Sequence, residues 1–244
     1  MRSFRWAVVG LVVCCVSPAL AAGQDFDVRF NACSEAVGIG YVPWSNARAL
    51  VPSHYALATG EGGKAFMVVR VTNCNAVTVA GGSAHAARTA QVGIMLAGQD
   101  PSANINNYLL WFITDSAQLN DKLNAAGIAT GVVTVLTLAF SPSSGALAVN
   151  VTSVGSASYA VLGNASLPVG SPVSFVANWF ADTDAGTVRM HTEFPAIRFG
   201  VANTVLTPTP ATQMAVLVDS LTLEFAVLDS YNSWGTATMQ SRLQ

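Results

Sequence analysis

Beyond residue 64 the chain is a succession of short apolar runs separated by clusters of Gly, Pro, Ser and Asp, the punctuation of a β-protein. Residues 65–71 (AFMVVRV), 91–96, 108–114 and 132–140 (VVTVLTLAF) are rich in β-branched or aromatic side chains and predict strands. The turn sequence SPSSG joins 132–140 to 145–152, and ADTDAG joins 173–180 to 187–194, so each pair reads as a hairpin. Residues 213–218 and 221–228 read as a tight hairpin through Asp219 and Ser220. The polar ending NSWGTATMQSRLQ reads as a loose tail or a short helix, and TPTPAT at 207–212 as a stiff loop.

One helix interrupts the strands. Leu119, Leu123 and Ala126 share a face at helical spacing, Asp115 with Gln118 fits a capping box, and Gly127 is a suitable stop. A shorter helix is predicted over 44–51, ending before Pro52. The fold class expected is α+β, predominantly antiparallel β: a closed β-cone or barrel with one or two packed helices. Closure is preferred to a sandwich because it removes exposed strand edges from a weakly charged protein. No repeat or linker divides the chain, so 22–230 reads as a single barrel domain and 231–244 as a C-terminal tail.

Residues 1–21 read as a secretory signal: Arg2 and Arg5 precede an apolar core, Trp6 to Val16, and Ala19-Leu20-Ala21 suits cleavage. That core is short for a bilayer span, so the expectation is a secreted or periplasmic protein without a retained membrane segment, a retained anchor being the alternative. Losing Arg2 and Arg5 leaves nine basic against 13 acidic residues, a net charge of −4. The bases are scattered, so no nucleic-acid partner is expected. Cys33 and Cys74 remain after cleavage, and an oxidising compartment favours a disulfide between them over two free or catalytic thiols.

The segments ARALVPSHYAL, AFMVVRV, ARTAQVGIML and YLLWFITDSAQLNDKLNAAG, in that order from residue 47 to 127, resemble the acetoacetate decarboxylase superfamily. The resemblance implies a β-cone barrel around an enclosed cavity. It also implies a Schiff-base lysine shortly after the helix, where this chain has Thr130, and a strand acid where it has Gln91. A threonine hydroxyl cannot form an iminium with a carbonyl substrate. A divergent relative without Schiff-base chemistry is therefore expected, and Lys64 and Lys122 read as loop and helix-surface charges.

Strand alternation places Arg189, His191 and Glu193 of TVRMHTEF on one face. Facing a lumen, they are candidate catalytic groups for proton transfer; facing water, they are the polar side of a half-buried strand. No P-loop, nucleophile elbow, calcium loop or metal-ligand spacing is complete, so neither metal nor cofactor is expected. Three functions stay open. The first is a protein holding a small, mostly apolar molecule, carbonyl compounds included, with Gln91, Tyr108, Thr130 and Asn178 as ligand-binding groups. The second is a cofactor-free lyase, isomerase or cyclase using His191 and Glu193. The third is an interaction module.

Overall fold

The structure is a computed structural model that describes residues 25–154 and 157–244. The expected signal sequence lies outside the described residues. Among these, eleven strands and three helices follow one another. β1 (Phe26–Val42) leads into helix α1 (Trp44–Leu50), and then come β2 (Ala65–Val79), β3 (His85–Met95) and β4 (Ile105–Thr114). Helix α2 (Ala117–Ala125) precedes β5 (Thr130–Phe140), β6 (Ala146–Val154) and β7 (Tyr159–Ala165). After β8 (Val173–Thr183) and the long β9 (Gly186–Pro208), helix α3 (Gln213–Val218), β10 (Leu223–Glu224) and β11 (Leu228–Leu243) end the chain.

Pairing closes the sheet on itself. One ring runs β1-β2-β3-β4-β8-β9-β11 and returns to β1; β4 and β8 are its parallel pair. A second path leaves β4 through β5, β6 and β7 and rejoins the C-terminal half of β9. The expected closed, mostly antiparallel barrel with packed helices is present. Two apolar clusters result. Val69, Val71, Val92 and Ile94 turn away from the first ring and pack against Leu136, Val149, Tyr159 and Leu206 of the second path. Phe30, Val77, Leu109, Trp179 and Met190 fill the first ring itself. Central strands are thus buried on both faces, which explains why AFMVVRV is apolar at successive positions instead of alternating.

The ring has a closed and an open end. Where β4 stops, α2 turns Leu119 and Leu123, both fully buried, into the same cluster as Val79, Ala87, Ala181 and Met239. At the opposite ends of these strands, Ile39, Met95, Ile105, Phe175 and Leu228 surround a cavity.

Three local expectations are corrected. Residues 231–244 are no tail: β11 pairs with β1 on one side and β9 on the other, so the domain extends to the C-terminal residues. Its inward positions include Ser230, Asn232, Ala237 and Ser241, small or polar side chains that conceal the alternation. The supposed strand 213–218 is α3, whose Met214, Leu217 and Val218 are buried at helical spacing; Thr212 caps it, accepting from Ala215 N at 3.3 Å. Helix α2 is capped by Ser116, whose Oγ accepts from Leu119 N at 3.2 Å, whereas Asp115 binds the Arg88 amide and guanidinium. Strands β1 and β7, which sequence patterning passed over, complete the closure.

The Cys33–Cys74 disulfide links directly opposed residues of β1 and β2. Both are buried inside the ring.

Candidate functional site

The cavity in the open end of the ring has a volume of about 250 Å³. Its wall is largely apolar: Val37 and Ile39 from β1, Val68 from β2, Ile105 from β4, and Phe194, Ile197 and Phe199 from β9. Gly93 helps to shape it. A Cβ there would stand 2.7 Å from the Trp179 indole and 2.4 Å from Tyr108 O, so only glycine lets that tryptophan lie against β3.

Beneath the apolar wall lies a polar layer made by neighbouring strands. Arg70 of β2 faces Gln91 of β3 in register, and Glu35 of β1 faces Asn232 of β11. Arg70 Nε donates to Glu35 Oε2 at 2.5 Å and Nη1 donates to Gln91 Oε1 at 2.8 Å. Asn232 Nδ2 donates to Glu35 Oε1 at 3.1 Å. Arg70 also lies 5.1 Å from the centre of the Phe194 ring and 5.5 Å from that of Trp234. Arg70 is 8% and Glu35 3% exposed, so the two charges cancel in a place that bulk water hardly reaches. Asn107 of β4, opposite Trp179 of β8 in register, also lines the cavity, with 0% exposure and no hydrogen-bond partner for Nδ2 or Oδ1.

This layer takes up one of the groups singled out in the sequence, Gln91, which supports Arg70 from behind without itself lining the cavity. Tyr108 points to the other side of β4, its ring centre 5.1 Å from that of Tyr55. Burial pushes the Tyr55 hydroxyl up to about 12, and it donates to Asp182 Oδ1 at 2.8 Å. Thr130 begins β5 in a separate surface groove beside α2, where its hydroxyl donates to Asn120 Oδ1 and, at 3.2 Å, to Asn124 Oδ1.

Arg189, His191 and Glu193 lie on the face of β9 opposite to Val188, Met190, Thr192 and Phe194, which point into the ring. They form a chain of polar contacts outside the lumen. Arg189 Nη1 donates to Asp100 Oδ2 at 3.1 Å, and Asn178 Nδ2 donates to the same oxygen at 3.0 Å. His191 Nδ1 is 2.8 Å from Asn178 Oδ1, and Nε2 is 3.1 Å from Glu193 Oε1. The hydroxyl and amide of Ser102 hold the Asp100 carboxyl below its usual range, with Asn178 and Arg189 adding to the effect. Glu193 is exposed. The set is assembled, but on the outer surface.

Sequence reasoning missed Glu35, Arg70, Asn107 and Asn232. One signal was present: Arg70 is a lone charge in the apolar run AFMVVRV, and a buried charge needs a partner. The chain has two lysines, Lys64 and Lys122, and neither lines the cavity. No cluster of three or more metal-ligating side chains occurs among the described residues, nor any helix long and apolar enough to cross a membrane.

An acetoacetate decarboxylase structure superposes with a TM-score of 0.60 over 94% of each chain, at 9% identity. The fold is that of acetoacetate decarboxylase. An acetoacetate decarboxylase-like enzyme from Sphingomonas wittichii RW1 matches with a TM-score of 0.51 at 10% identity, over 93% of this chain and 94% of that one. The enduracididine biosynthesis enzyme MppR, complexed with pyruvate, matches with a TM-score of 0.52 at 12% identity, over 93% and 92%. No family model matches the sequence, and no curated protein matches it.

Proposed function

We propose that this chain is an exported protein that holds a small, mostly apolar molecule, carbonyl compounds included, in the ring cavity, without the Schiff-base chemistry that the superfamily resemblance implies. One observation carries the reading: the cavity wall contains no lysine, and its buried charges, Arg70 and Glu35, are already paired with each other. An apolar pocket with a few fixed polar groups is the usual form of a small-molecule site. Without an amine there, a carbonyl substrate has no iminium in which to delocalise electrons. Export is supported by the signal-like residues 1–21 and by the Cys33–Cys74 disulfide, since such bonds persist in oxidising compartments.

The lyase, isomerase or cyclase reading would need His191 and Glu193 to meet a substrate outside the ring, since neither lines this cavity. The test is an intact-mass experiment on exported protein. With acetoacetate or pyruvate plus borohydride, no covalent adduct is expected; under native conditions a small molecule should be retained non-covalently. A stoichiometric adduct on Lys64 or Lys122 would overturn the proposal.

A further inference from the structure

Asn107 is an unusual side chain to find on a cavity wall. It is fully buried, and its amide, which can donate two hydrogen bonds and accept two, makes none. Buried polar groups are nearly always paired, so one left unpaired beside a cavity points to a partner that enters from the cavity. Two neighbours on the same wall repeat the signal: Asn232 Oδ1 and Trp179 Nε1 are buried and unpaired. Arg70 spends Nε on Glu35 and Nη1 on Gln91, and neither bond uses Nη2. The wall thus offers both unmet donors and unmet acceptors.

Building on the small-molecule reading above, we infer that the molecule held there carries a neutral carboxamide head with an N–H syn to its carbonyl, a primary amide or a lactam, seated against Asn107. A carboxamide oxygen can accept from Asn107 Nδ2 while its N–H donates to Asn107 Oδ1, so both ends of the buried amide are satisfied together. A second N–H of a primary amide suits Asn232 Oδ1. A simple ketone accepts but cannot donate, and leaves Asn107 Oδ1 unmet. A carboxylate accepts only, and it brings a negative charge toward Glu35 into a layer whose charges already cancel. The inference does not depend on which Asn107 atom is nitrogen, because both are unpaired and the terminal torsion is soft. The apolar wall above the layer then covers the rest of the molecule.

The experiment compares hexanamide, 2-heptanone and hexanoate, which have equal numbers of heavy atoms, by calorimetric titration of the full exported chain at neutral pH. Hexanamide should bind about tenfold more tightly than either competitor, the return from two neutral hydrogen bonds. In Asn107→Leu the preference should vanish and 2-heptanone should bind at least as well as hexanamide. This variant removes an unpaired amide at nearly constant volume, so it should fold; the ranking of the three probes on the unaltered chain is a test that needs no variant. Hexanoate or 2-heptanone binding most tightly, or a preference for hexanamide that survives Asn107→Leu, overturns the head-group inference and leaves the cavity reading standing. If none of the three binds, the cavity reading falls, and the head-group inference falls with it.

Discussion

Replacing Glu35 by Gln should be one of the most damaging isosteric changes in this protein. Arg70 would keep an acceptor for Nε but lose its counter-charge, at 8% exposure. Asn232 Nδ2, which now donates to Glu35 Oε1 at 3.1 Å, would compete with the new amide for acceptors. Breaking a buried ion pair by neutralising one member typically costs about 3–5 kcal/mol, because the remaining charge stays desolvated. Arg70→Met should cost a similar amount, including about 0.5–2 kcal/mol of cation–π contact with Phe194 and Trp234. The double variant Glu35→Leu/Arg70→Met should recover most of that loss, since apolar side chains of similar volume often replace a buried pair without penalty. Urea unfolding with linear extrapolation, on oxidised protein, gives the three differences. For a domain of this size the single variants should also melt roughly 6–20 °C lower. Single changes within about 1 kcal/mol of the parent, or a double variant no better than its components, would refute the desolvated-pair reasoning, because that is the range of exposed pairs.

Other expectations follow from the same geometry. Reducing Cys33–Cys74, which closes a separation of 41 residues, should destabilise the fold by about 4 kcal/mol in the chain-entropy model; unchanged urea midpoints with and without reductant would contradict it. The Asp100 carboxyl titrates below its unfolded value of 3.8, so its stabilisation is complete above about pH 4 and is lost as pH falls through the lower folded value. Asp100→Asn should therefore flatten the acid limb of a stability profile, and an identical limb would count against the Ser102 and Asn178 contacts. His191→Ala should leave ligand affinity within about twofold by tryptophan fluorescence, whereas an enzyme using that imidazole as its proton carrier would lose roughly two to four powers of ten in rate.

The fold was legible where apolar residues dominated. The runs 65–71, 108–114 and 132–140 lie in β2, β4 and β5, and the α2 face was readable from Leu119 and Leu123. It was illegible where the lumen itself is polar or built of small residues. β11 turns Ser230, Asn232 and Ser241 inward, and β1 turns Glu35 inward, so a pattern search sees polar segments where the barrel has interior strands. The same property hid the site. Glu35 and Asn232 are 197 residues apart in sequence, and only the β1–β11 register makes them neighbours. Helix α3 was misread because Met214, Val216, Leu217 and Val218 form a short apolar run that suits either period until burial distinguishes them.

The most direct test of the central claim is a methyl-labelled NMR titration of the oxidised chain with a neutral ketone or amide of six to eight heavy atoms, the order of size that a cavity of about 250 Å³ admits. The methyls of Val37, Ile39, Ile105, Ile197 and Leu228 should shift together and saturably, while those of Leu147, Val149 and Leu206 in the other core stay still. Shifts centred instead on Val132 and Val133 beside Thr130, or no saturable shift at any methyl, would contradict it.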